Sequence, residues 1–198
     1  MALDLFETPD PWALFTAWLA EGTDTEPRVP EAMQIATAGA DGRPSVRTGL
    51  LKSHGPDGLV FYTNLGSRKA QQLLANPWCG FVLHFKGLER QILGEGPVEQ
   101  VSDATADAYH AVRPRGSQIG AWASEQSRPV ADRSTLEARV AQVEARFAGQ
   151  DVPRPEFWSG FRIRPERLEF WQGRPDRLHD RRVFTQTHDG WDRSQLYP

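Results

Sequence analysis

One cysteine in 198 residues rules out a disulfide within the chain. Cys79 lies in the apolar run Trp78-Cys79-Gly80-Phe81-Val82-Leu83, so it reads as a small buried hydrophobe in a reducing cytoplasm. No apolar run approaches the ~18 residues of a membrane span. Met1 to Glu7 carries acids where a secretory signal needs base, and a cytoplasmic protein is expected. A basic excess is missing too: the formal net charge of −3 argues against a nucleic-acid or membrane-surface binder. The chain has no Gly-x-Gly-x-x-Gly opening a helix, no Walker loop, no histidine pair at metal spacing and no Gly-x-Ser-x-Gly elbow. Rossmann, ATPase, metal and esterase chemistry lose support accordingly. Lysine is scarce as well, with only Lys52, Lys69 and Lys86 among 23 basic residues.

What is present is concentrated in Arg113-Pro114-Arg115-Gly116-Ser117-Gln118-Ile119-Gly120-Ala121-Trp122-Ala123-Ser124-Glu125-Gln126-Ser127. Guanidinium forks and hydroxyls over such a polar run suit an anion, phosphate above all. The bland alternative is a polar loop whose arginines pair with nearby acids. Tyr109 precedes Arg113 by one helical turn, so both can face one ligand. A second anion cradle is expected where Ser67-Arg68-Lys69 starts a helix. Two cations in a first turn oppose the helix dipole but suit an anion held at that end.

Along the chain, Asp10 to Ala20 reads as a helix, broken by Pro27 and Pro30. Strands are expected over 32–38, 45–53, 59–63, 79–85 and 91–100, with Gly94 and Gly96 marking a bulge or close approach. Ser102-Asp103 caps a helix through Val112. A further amphipathic helix within 127–148 carries Leu136, Val140, Val143 and Phe147 on one stripe. Strands resume at 161–164 and 168–172 and again near Val183 and Trp191. Taken as a strand, Arg177, His179 and Arg181 would share one face as a cationic wall. The near-continuous meander favours a barrel: one α+β domain over residues 1–198, with a helical segment in 1–25. Arg47 joins Arg68-Lys69 in one cradle, and Lys52 joins Tyr109, Arg113 and Ser117 in the other. Two phosphates with flat rings between them would use all these parts.

These segments resemble the pyridoxine/pyridoxamine 5′-phosphate oxidase family over nearly the whole chain after the first ~25 residues. The resemblance is carried by Leu50-Leu51-Lys52, Phe61-Tyr62-Thr63-Asn64, Ser67-Arg68-Lys69, Arg90-Gln91, Arg113-Pro114-Arg115, Ser117 to Ser127, Val152-Pro153-Arg154-Pro155, Glu169-Phe170-Trp171-Gln172-Gly173 and Arg177-Leu178-His179-Asp180-Arg181. It implies an FMN-binding split β-barrel working as a homodimer with flavins between subunits. By motif, Arg47, Lys52, Tyr62, Thr63, Arg68, Lys69 and Gln91 would bind FMN. Gln126, Ser127, Trp171 and Arg181 would complete that site, several of them from the other chain. Lys52, Tyr109, Arg113 and Ser117 would hold the substrate phosphate, and Arg177 and His179 would close over the pyridine ring as catalytic groups. The implied reaction passes a hydride from C4′ of the phosphorylated vitamer to flavin N5, with oxygen taking the electrons as hydrogen peroxide.

The chain departs from the family pattern at Thr48-Gly49, where a bulkier aliphatic pair is usual, at Phe85 in place of Trp, and at Gln195 in place of Arg. Two other functions compete: a related flavin oxidase acting on a phenazine-type substrate, and a non-catalytic binder of flavin or pyridoxal phosphate.

Overall fold

Alternating apolar residues pair into antiparallel strands in a computed structural model that describes residues 3–25 and 28–198. The strands are β1 (Ala32–Ala38), β2 (Pro44–Leu50), β3 (Leu59–Asn64), β4 (Trp78–Phe85), β5 (Arg90–Gln100), β6 (Trp158–Ile163), β7 (Arg167–Gln172), β8 (Asp180–Thr187) and β9 (Gly190–Gln195). The helices are α1 (Pro11–Thr25), α2 (Arg68–Ala75), α3 (Asp103–Ala111), α4 (Arg115–Ala123) and α5 (Arg133–Arg146).

Strand order explains the barrel. β2 pairs with β1, β1 with β4, β4 with β5, β5 with β6 near its end, and β6 with β3. The ring between β3 and β2 is closed only by a narrow seam, where Lys52 N–H donates to Val60 O at 2.8 Å and Val60 N–H to Ser53 O at 2.9 Å. β5 is long enough to pair with β7 as well, and β7, β8 and β9 continue from it as an outlying sheet. The antiparallel α+β split barrel expected from the sequence is the fold observed.

Inward residues alternate as the pattern predicts: Met33, Ile35, Phe81, Leu83, Phe85 and Ile92 are buried together with Phe61, Phe161 and Phe170. α1 closes this core with Phe15 and Trp18, Trp18 standing edge-on to Phe170 at 5.4 Å. Asp10 caps α1 as expected, accepting from Trp12 N–H at 2.9 Å. The close approaches anticipated at Gly94 and Gly96 are real: a Cβ would lie 2.5 Å from the Phe81 ring and 2.1 Å from Arg164 O respectively. The expected break at Pro27, and Met1 and Ala2 of the amino-terminal reading, lie outside the described residues.

Two readings need correction. The run after Arg113, where the sequence predicts no helix, is largely helix α4, with Ile119 and Ala123 buried and Ile119 packed with Phe147 and Val152. Within it Arg115 is structural: its guanidinium donates to Gln150 O at 2.7 Å and Phe147 O at 2.6 Å, satisfying carbonyls at the carboxyl end of α5. Arg177 and His179 do not share a strand with Arg181. Pro175–Arg177 forms a 3₁₀ turn, Asp176 and Arg177 take φ of 56° and 62°, and β8 begins only at Asp180.

Candidate functional site

Ser67 ends β3's connection by capping α2: its Oγ accepts from Ala70 N–H at 3.4 Å, which turns Lys69 inward. Lys69 is only 8% exposed, and its ammonium donates to Thr63 Oγ1 at 2.9 Å. Burial first, and then the nearby Arg47, push its pKa down to about 8. Arg47, brought in from β2, donates to Ile35 O and Thr37 Oγ1 and contacts Ser45 and Gln72. Burial and then Arg68 depress it too. Among the described residues, none of Arg47, Arg68, Lys69 and Arg113 is ion-paired with a carboxylate. Three crowded cations without an acid form a site short of an anion.

A cleft of about 410 Å³ joins this cluster to the other cradle. Its walls bring together Lys52, Tyr62, Thr63, Lys69, Tyr109, Arg113, Ser117 and Gln126, with Thr48, Gly49 and Trp158. Ser102 caps α3 by accepting from Thr105 N–H at 3.2 Å, and α3 carries Tyr109 onto the Tyr62 ring, 4.0 Å away and nearly parallel. Gly160, opposite Tyr62 in the β3–β6 register, makes room for that ring; a Cβ there would meet it at 2.8 Å. Arg154 locks α3 to β6, donating to Asp107 at 2.5 Å, Asp103 at 2.8 Å and Trp158 O at 2.9 Å. Gln126 accepts from Thr63 Oγ1 at 2.9 Å. Arg68 and Ser127 are exposed, with Ser127 at a φ of 71°.

The remaining expected residues form a separate group. Gln91, Trp171 and Arg181 are cross-strand neighbours in a row over β5, β7 and β8. His179 leans on Trp171, with ring centroids 4.6 Å apart, and its Nδ1 accepts from Arg174 N–H at 3.2 Å, placing the neutral ring's proton on Nε2. Arg181 donates to buried Glu169 at 2.7 Å. Burial would raise the Glu169 carboxyl, but Arg181 and Arg167 together hold it below the usual range. None of Gln91, Trp171, Arg177, His179 and Arg181 lines the cleft of the same chain.

Sequence reasoning missed Glu31 and Trp158. Glu31 pairs with Lys52 at 3.2 Å across 21 residues of sequence. Its own backbone N–H, with Lys52 also contributing, holds its carboxyl below the usual range. Glu31→Gln removes this competitor for Lys52. Because an exposed pair is worth only ~0.2–1 kcal/mol, a phosphorylated ligand should bind about 1.5- to 5-fold tighter, as equilibrium titration would read.

A family model described as "Pyridoxamine 5'-phosphate oxidase" matches residues 22–147, and one described as "Pyridoxine 5'-phosphate oxidase C-terminal dimerisation region" matches residues 158–198. The chain belongs to the pyridoxine/pyridoxamine 5′-phosphate oxidase family. It is 60% identical over 189 residues to the oxidase of that name from Sphingopyxis alaskensis, covering 96% of this chain and 88% of that protein. The Gluconobacter oxydans oxidase is 56% identical, with 96% and 94% covered. Among solved structures, PhzG from Burkholderia lata, in complex with tetrahydrophenazine-1-carboxylic acid, superposes with a TM-score of 0.89 at 32% identity, covering 97% of this chain and 94% of that one.

Of the departures from the family pattern, Phe85 lies in the core, whereas Thr48 and Gly49 line the cleft. A Cβ on Gly49 would meet Ile35 Cδ1 at 2.8 Å, so the isoleucine's end methyl stands where a larger residue 49 would project. Phe85 is buried against Gly22 of α1. Gln195 is exposed on β9.

Proposed function

We propose that this protein, an FMN-dependent homodimer in the cytoplasm, oxidises pyridoxine 5′-phosphate and, with water entering and ammonia leaving, pyridoxamine 5′-phosphate to pyridoxal 5′-phosphate, with oxygen as electron acceptor. The observation that supports this reading is the cleft lined by Lys52, Lys69 and Arg113, with Arg47 and Arg68 close behind Lys69; among the described residues these cations meet no carboxylate apart from the single Glu31–Lys52 contact. One set suits the phosphate of a flavin mononucleotide and the other that of a second, smaller ligand. Buried Lys69 and the unpartnered Arg113 guanidinium nitrogen fit such guests.

Arg47, Arg68 and Lys69, with Thr63, would hold the FMN phosphate, and Tyr62, Gln126 and Ser127 would border the rest of the cofactor. Bound there, FMN would supply a two-electron acceptor for hydride from C4′ and a route for those electrons to oxygen. Lys52, Tyr109, Arg113 and Ser117 would grip the substrate phosphate. Hydride departure needs no strong base, so the chain's task is to hold two rings face to face. The second copy would contribute Gln91, Trp171 and Arg181, which do not line the cleft of their own chain, and would bring Arg177 and His179 to the pyridine ring. His179, with its proton on Nε2, can donate to the substrate there, and Arg177 would help to orient the ring beside the flavin. Two consecutive non-glycine residues at positive φ cost about 1–3 kcal/mol each, the kind of strain that concentrates at working sites. The outer face of β1, β2, β4 and β5 presents Ala36, Val46, Val82 and Leu93 around a shallow depression of about 340 Å³, a surface suited to a second copy.

The test is a visible spectrum of the purified protein together with pyridoxal phosphate formation from each substrate at neutral pH. A yellow protein that makes the aldehyde is expected. A yellow protein inert toward both substrates would redirect the reading to the chemistry of the PhzG neighbour, and a colourless one to a non-catalytic binder.

A further inference from the structure

The geometry points to Trp158 as a positioning residue that holds Arg113 by its flat face and so leaves its full charge for the substrate phosphate. This rests on the assignment of Arg113 to the phosphate cradle. An arginine that must grip a phosphate faces two opposed demands. It has to be fixed, because a free side chain loses rotamer entropy on binding. Yet fixing it with a carboxylate would neutralise it and set a competitor beside the ligand.

The structure meets both demands with an aromatic ring. The Arg113 guanidinium carbon lies 4.5 Å from the centre of the Trp158 ring. A cation over an indole face is attracted by the ring quadrupole, while the in-plane N–H groups stay free to point at an anion. Among the described residues Arg113 has no ion pair, and its Nη1 is buried without a hydrogen-bond partner. Its backbone N–H, donating to His110 O at 3.2 Å, fixes the main chain but not the guanidinium.

Trp158 is itself held firmly. It is 5% exposed, lies parallel to Tyr62 at 5.3 Å, and takes the His110 ring edge-on at 5.3 Å. Arg154 anchors its carbonyl. Burial, followed by Arg113 and Arg154, pushes the His110 pKa down, which favours the neutral ring beside Arg113. An indole in a strand looks like ordinary core, but this one lines the cleft.

The experiment compares Trp158→Leu, Trp158→Phe and Arg113→Ala in the flavin-loaded enzyme, reading KM and kcat for pyridoxine 5′-phosphate, inhibition by inorganic phosphate, and flavin per chain. Trp158→Leu should raise KM and the phosphate inhibition constant about 10-fold, with kcat and flavin content within about two-fold of the parent. Trp158→Phe, which keeps a ring with a weaker quadrupole, should raise KM only about two- to three-fold. A parental KM in Trp158→Leu while Arg113→Ala raises it would overturn the positioning role and leave the cradle standing. A parental KM in both would remove the cradle assignment and this inference together. Loss of kcat and flavin without a KM change in Trp158→Leu would show a merely structural indole. If Trp158→Leu does not fold, Trp158→Phe decides: a KM raised about two- to three-fold supports the role, and an unchanged or lowered one overturns it.

Discussion

Replacing Lys69 by methionine will give a protein that binds flavin more weakly and is harder to unfold. In the flavin-free chain the Lys69 ammonium is buried among hydroxyls with no carboxylate, and its pKa falls from 10.5 to about 8. The sign follows from proton counts. Between pH of about 8 and 10.5 the unfolded chain binds more protons than the folded one, so stability rises with pH across that window. Below about 8 the cost of the buried charge is fully present, on the order of 3 kcal/mol. Methionine removes it without orphaning a hydroxyl, since Thr63 still donates to Gln126 and lies 3.3 Å from Ser67 Oγ. Urea unfolding of the flavin-free variant at pH 7 should show a gain of about 1–3 kcal/mol. If Lys69 holds the flavin phosphate as proposed, loss of that charge-assisted bond, worth ~1.5–3 kcal/mol, should weaken flavin binding about 10- to 150-fold. A parental flavin dissociation constant in this variant would remove Lys69 from the cofactor site. In the parent protein, flavin affinity should be flat between about pH 7 and 8, above the second ionisation of the phosphate, and then fall as pH rises, because binding requires the ammonium form.

Arg113→Ala should cut kcat/KM for the phosphorylated substrate about 10²- to 10³-fold, or roughly 3–4 kcal/mol, mostly through KM. The side chain is half-buried, burial lowers its pKa, and it is committed to no acid, so its charge is available to the ligand. It contacts Trp158 and His110 rather than Arg47, Arg68 or Lys69, so the flavin content should be unchanged. Absorbance per chain and steady-state kinetics on the same preparation check both halves. Equal loss of flavin and substrate affinity would mean that Arg113 belongs to the cofactor.

The sequence made the strands and capped helices legible because their signals are local. Period-two burial in β1 and β4 and the hydroxyl caps at Ser67 and Ser102 need no distant partner to be read. Helix α4 was hidden because Gly116, Ser117 and Gly120 are poor helix formers, and its stability comes from Ile119 packing on Phe147 and Val152. The turn at Asp176-Arg177 was hidden because its positive φ values carry no glycine marker. In the site, the unusual cations could be picked out by type, but their lack of acidic partners could not. That depends on the fold, as does Glu31 reaching Lys52. Trp158 was missed because an indole beside Phe157 in a strand has every appearance of core.

The row formed by Gln91, Trp171 and Arg181 stands apart from its own chain's cleft, and this has a genetic consequence. If each site takes its cleft from one copy and its row from the other, a chain spoiled at Lys69 and a chain spoiled at Trp171 fail for different reasons. Mixed in one cell, the two defective forms would assemble pairs in which one site inherits both faults and the other inherits neither, so activity would return where each allele alone gives none.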